Sequence, residues 1–174
     1  MPILQKLSRS CARTALPAVM MLVIAGCALA QDVPENPITW SLALERSSPP
    51  KAGSAFRALL SAKIEAGWHL YSTEQREDGP KPTRIAVPKD QVFELGGEIE
   101  SPTPIIAMDE NFGFETQFYQ DSATFALPLR IAANAPSGQH KLQVQVRYQT
   151  CTGKLCLPPK TVKLDLTVEI AAGK

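Results

Sequence analysis

From Val162 to Ile170 the chain alternates without a break. Val162, Leu164, Leu166, Val168 and Ile170 face one way, and Lys163, Asp165, Thr167 and Glu169 the other. A period of two is the signature of a strand with one buried face, and no helix can sort these residues in that way. The pattern recurs in Ile38 to Arg46, where Ile38, Trp40, Leu42 and Leu44 alternate with polar or small neighbours. It recurs in Lys141 to Thr150, where Leu142, Val144, Val146 and Tyr148 share a face. Ala55 to Ala66, Thr83 to Val87, Gln91 to Leu95 and Ala123 to Ala132 read as further strands, and Trp68-His-Leu-Tyr71 as a short aromatic one. Fifteen prolines and ten glycines punctuate the runs: Ser47 to Gly53, Glu74 to Pro82, Gly96-Gly97, Ser101 to Pro104 and Pro136-Ser-Gly138 read as turns or loops. Asp109 to Gly113 reads as an exposed turn. About eight short strands without an amphipathic helix predict an all-β, antiparallel sandwich of immunoglobulin-like type.

The first thirty residues follow a different logic. Lys6, Arg9 and Arg13 precede an apolar run from Ala15 to Gly26, and Ala28-Leu-Ala30 forms a small-x-small site before Gln31. This predicts a signal peptide over 1–30. The run is short of the roughly 20 residues that span a bilayer. Ile24-Ala25-Gly26-Cys27 supports an overlapping alternative, a lipoprotein leader over 1–26 with Cys27 acylated. Both readings place a domain over 38–172, after a short linker at 31–37, in the periplasm, where disulfides persist. With 18 Lys and Arg against 17 Asp and Glu, the formal charge is +1, so no basic stripe points to nucleic acid.

Export sorts the four cysteines. Cys11 falls in the leader, Cys27 is removed or acylated, and Cys151 and Cys156 remain as a pair across Thr152-Gly-Lys-Leu155. Four intervening residues allow the Cα atoms to reach disulfide distance, and Gly153 could take a positive φ. Pro158 and Pro159 stiffen the exit. A loop this small stabilises a fold by only roughly 2 kcal/mol in the chain-entropy account. The residues alone leave two readings open: a redox-active dithiol, or a structural disulfide in a non-catalytic binding or assembly module. Cys-x4-Cys is wider than the usual zinc spacing, and neither His69 nor His140 sits in a ligand pattern. Copper held by cysteine, His69 and Met108 has no supporting motif, so no metal and no cofactor are expected. No Gly-x-Ser-x-Gly occurs.

Three blocks carry a family resemblance. Tyr148-Gln-Thr-Cys-Thr-Gly-Lys-Leu-Cys-Leu-Pro-Pro159 resembles the active-site segment of the N-terminal periplasmic domain of the thiol:disulfide interchange protein DsbD. Gly67-Trp-His-Leu-Tyr71 with Gly79-Pro-Lys-Pro-Thr83, and Asp109-Glu-Asn-Phe-Gly113, are similar to two further blocks, in the same order. The similarity runs from about Ile38 to Ile170 of the numbered chain. It implies an immunoglobulin-like sandwich whose cysteines, Cys151 and Cys156, relay electrons, with Cys156 the sulfur bonded to partners. It implies a cap loop that covers the pair through Phe112, Asp109 and Glu110 beside the sulfurs, and Tyr71 and His69 lining the pocket. It also implies partners: a membrane electron transmitter, and thioredoxin-like or disulfide isomerase proteins, including those of cytochrome c maturation. The transporter's membrane and thioredoxin-like domains do not follow in this sequence, which implies a separate module. The cysteine spacing is one residue shorter than in the best-known member.

Overall fold

Alternating apolar residues bury one face of a strand only if a second sheet covers it, and the fold follows from that need. The computed structural model describes residues 34–172, so the leader readings, with Cys11 and Cys27, lie outside the described residues. Every regular element among the described residues is a strand: β1 Ile38–Leu44, β2 Ala55–Ile64, β3 His69–Tyr71, β4 Arg84–Ala86, β5 Phe93–Leu95, β6 Ile105–Asp109, β7 Phe114–Tyr119, β8 Ser122–Ile131, β9 Gly138–Tyr148, β10 Thr150–Cys151 and β11 Lys160–Ile170.

They form three antiparallel sheets, ordered β1-β2-β8-β5, β11-β9-β4 and β10-β3-β7-β6. The first two make the sandwich. Leu60, Phe125, Leu127 and Leu129 from one meet Leu142, Val144, Val146, Val168 and Ile170 from the other in a single buried core. A one-residue slip of β9 or β11 would turn each of these side chains to solvent, so the buried face sets the register. That register pairs Lys160 with Tyr148 and Ile170 with Gly138. The fold is the expected immunoglobulin-like, all-β sandwich.

The third sheet positions the candidate site. Its strand β3 is buried on both faces: Leu70 joins the main core, while Tyr71 packs with Phe118 and Cys151 in a second cluster on the opposite side. This sheet is also where sequence expectations fell short. No strand is expected between Ser101 and Ala123, yet β6 and β7 occupy most of it. The reason is that β6 is an edge strand with Ile106 and Met108 62% and 66% exposed, so hydrophobicity there does not track burial. Elsewhere the differences are of boundary. Lys141 to Thr150 starts earlier, at Gly138, and breaks at Gln149 into β9 and β10. Trp68 precedes β3 rather than joining it, and packs in the main core.

Candidate functional site

Cys151 ends β10, which pairs with β3 so that Cys151 lies opposite His69. The chain then reverses within four residues. Thr152 closes the reversal: its N–H donates to the Leu155 carbonyl at 2.7 Å, and its Oγ1 accepts from the Leu155 and Lys154 N–H groups at 3.0 and 3.2 Å. Leu157 N–H then returns to the Thr150 carbonyl at 3.0 Å. This self-bonded turn brings Cys156 opposite Cys151 with their Cα atoms 4.1 Å apart, and the two sulfurs are joined as a disulfide. Gly153 does not use the positive φ open to a glycine; the Thr152 hydroxyl closes the turn. The two sulfurs are not equivalent. Cys151 is fully buried, while Cys156 is half-buried at the surface of the same cluster.

The β6–β7 hairpin brings a cap to this turn. Gly113, at φ +73°, lets the chain fold back so that its N–H reaches the Asp109 carbonyl at 2.8 Å; that conformation is strained for any residue with a Cβ. Phe112 then lies edge-on to Tyr71 with ring centroids 5.9 Å apart, and joins Tyr71, Phe118 and both cysteines in one cluster. Asn111 Nδ2 donates to the Thr152 carbonyl at 2.8 Å, linking the cap to the cysteine turn directly. Glu110 is exposed, and its Oε2 stands 3.7 Å from where a Cβ on Gly153 would be. Both predicted carboxylates therefore reach the site, by different routes.

Asp109 is not part of a solvated turn, a correction to the reading of Asp109 to Gly113 as exposed: it is the last residue of β6 and only 4% exposed. Its Oδ2 accepts from the Tyr71 hydroxyl at 2.7 Å and from Thr116 Oγ1 at 3.1 Å. Its Oδ1 accepts from the Asn111 backbone N–H at 2.9 Å and from Asn111 Nδ2 at 3.1 Å. Burial pushes this carboxyl's pKa up, but the four donors outweigh burial and hold it below the usual range. The charge is thus retained inside the protein. Tyr71 responds in the opposite sense: burial, then the hydrogen bond and charge of Asp109, raise its pKa far above the ordinary value.

His69 packs against Tyr71 and Phe118, with centroids 5.0 and 4.8 Å away. Its Nε2 is sealed from solvent without a hydrogen-bond partner, 3.8 Å from Asp109 Oδ2. Burial lowers its pKa and Asp109 only partly offsets this, so the ring is neutral at pH 7.

All of Cys151, Cys156, Tyr71, His69, Asp109, Glu110 and Phe112 converge on one end of the third sheet. Met108 and His140 do not: Met108 is exposed on β6, and His140 Nε2 bonds the Pro136 carbonyl. Among the described residues no three His, Cys, Asp or Glu side chains form a group able to hold a metal ion. Sequence reasoning missed Thr116, Phe118 and Thr152, and assigned no role to Asn111. Thr116 and Phe118 share a face of β7, a period-two signal hidden by the two adjacent aromatics Phe118 and Tyr119.

Comparison with known proteins bears on this arrangement. No curated protein matches the chain. Among solved structures, the N-terminal periplasmic domain of ScsB from Proteus mirabilis matches with a TM-score of 0.50 at 17% identity, over 79% of this chain and 49% of that one. The chain thus spans about half the length of that structure, and the likeness is one of fold. The DsbD N-terminal domain from Neisseria meningitidis, in its reduced form, aligns over 70% of this chain and 84% of that one, with a TM-score of 0.47 and 20% identity. The sequence pattern of the thiol:disulfide interchange protein DsbD, N-terminal, matches residues 43–168. Because that match runs through most of the 174 residues and takes in the cap, the pocket and both sulfurs, this chain belongs to the family of DsbD N-terminal domains.

Proposed function

We propose that Cys151 and Cys156 are a reversible redox couple through which this domain, spanning 38–172, relays electron pairs between periplasmic thiol proteins. The observation that carries the reading is the asymmetry of the pair. Cys151 is fully buried and Cys156 half-buried, under a cap anchored by a buried carboxylate. A structural bridge has no use for such a lid.

The exchange runs through a mixed disulfide. A thiolate of a reduced donor attacks Cys156 Sγ, the accessible sulfur; the Cys151–Cys156 bond breaks and Cys151 leaves with the electron pair, taking a proton. The donor's second thiol then attacks its own bridging sulfur. The donor departs oxidised, and Cys156 is released as a thiolate that takes a second proton. Delivery reverses the sequence: Cys156 attacks an acceptor disulfide, and Cys151 resolves the intermediate. Two electrons and two protons move in each half.

Asp109 and Glu110 disfavour a thiolate close to them by charge repulsion. The reduced pair is therefore a weak nucleophile until a partner displaces the cap, which protects it from small oxidants. Phe112 is the lid, and Tyr71 and His69 form the wall behind Cys151. A membrane electron transmitter suits the donor side. A disulfide isomerase or a thioredoxin-like protein of cytochrome c maturation suits the acceptor side. Residues 1–30, or 1–26 with lipidation at Cys27, would deliver the domain to that compartment.

The midpoint potential of the couple tests the proposal. A relay equilibrates with glutathione or thioredoxin buffers at potentials above about −300 mV. A value below that identifies a structural bridge and overturns the reading.

A further inference from the structure

The cap is held in place by two unlike contacts. One is the apolar packing of Phe112 on Tyr71 of β3; the other is the hydrogen bond from Asn111 Nδ2 to the carbonyl of Thr152, the residue that follows Cys151. We propose that Asn111 is a polar latch: a positioning residue that holds the cap against the cysteine turn and slows a thiol's approach to the half-buried Cys156 until it releases Thr152. The inference rests on reading the disulfide as a redox couple beneath a cap, and names what keeps the cap shut.

The geometry gives the latch its particular character. Asn111 is held at its root by Asp109 Oδ1, which accepts from both its backbone N–H and its Nδ2, so the amide is aimed before it meets the turn. Its acceptor is equally fixed. The Thr152 carbonyl is placed by hydrogen bonds within residues 150–157, none of which involves a sulfur atom. The acceptor therefore stays in position whether the cysteines are bonded or free. The latch closes the cap equally in both redox states, and so governs the rate of exchange without setting its equilibrium.

A single hydrogen bond at an exposed position sits in the lower half of the usual range, which corresponds to about a two- to five-fold change in the open fraction of the cap. The test uses the oxidised full chain and a phosphine reductant, with each rate taken relative to the unsubstituted protein at the same pH. Asn111→Ala is expected to be reduced about two- to five-fold faster, with an unchanged midpoint potential. Asn111→Asp removes the donor at neutral pH and should be faster too. As pH falls, the introduced carboxyl, flanked by Asp109 and Glu110, gains a proton it can donate to Thr152, and the rate ratio should return towards one.

Equal rates for Asn111→Ala, or a pH-independent ratio for Asn111→Asp, overturn the latch. If the alanine variant loses its near-ultraviolet circular dichroism, the aspartate series decides alone. A structural midpoint potential would remove the relay and leave these rate ratios intact, so the two readings fail separately.

Discussion

Asp109 carries the strongest local electrostatics of the site, and its titration has a definite sign. Four donors hold its folded pKa below the unfolded value of about 3.9. Its contribution to stability is therefore complete above that value and is lost as pH falls through the folded pKa. Tyr71→Phe removes one donor from a carboxylate that stays buried, which should cost about 1–3 kcal/mol at neutral pH. The variant's folded pKa moves back up, so less is lost on acidification. Urea unfolding from pH 7 down to pH 2 should show the two proteins converging; a constant gap would mean that Tyr71 acts through packing alone. None of this is legible in the residues. Tyr71 and Asp109 lie 38 positions apart, and a carboxylate in Asp-Glu-Asn reads as a solvated turn until the strand pairing of β6 is known.

At the scale of elements, the lid role proposed for the β6–β7 hairpin draws on a turn closed by its own backbone hydrogen bonds. Gly113 and the Asp109 carbonyl fix the turn, and β6 is the edge strand of its sheet among the described residues, with exposed Ile106 and Met108. Phe112→Ala removes the ring that packs edge-on to Tyr71 in the cysteine cluster but leaves these backbone bonds. Reduction by a small thiol should accelerate by at least the factor expected for Asn111→Ala, since an aromatic contact of this kind is worth about 0.5–1.5 kcal/mol beyond its buried area. An unchanged rate would show that the cap does not shield the pair. The strands that alternate cleanly, β1, β9 and β11, are legible because each has one wet and one dry face. β6 and β7 are not, because their sheet serves the core on one side and the site on the other.

For the whole molecule, the sandwich core and the cysteine pair are energetically separate. The core draws on both large sheets, whereas the bridge closes a sequence separation of five residues already held by their own hydrogen bonds. Replacing both Cys151 and Cys156 by serine should cost roughly 2 kcal/mol, while Leu142→Ala, at the centre of the core, should cost about 2–5 kcal/mol. Denaturant midpoints on the two variants check the order. A double-serine variant that failed to fold would make the bridge a structural staple.

Local pattern determined much of this protein. Period-two alternation required strands with a dry face, and four residues between two cysteines required a tight turn that could be bridged. Both are properties of neighbours along the chain. Tertiary structure alone decided which cysteine is fully buried, which carboxylate is buried yet charged, and that Asn111 meets Thr152 forty-one positions away. Burial and cross-sheet hydrogen bonds depend on which strands pack together, and that choice belongs to the assembled core.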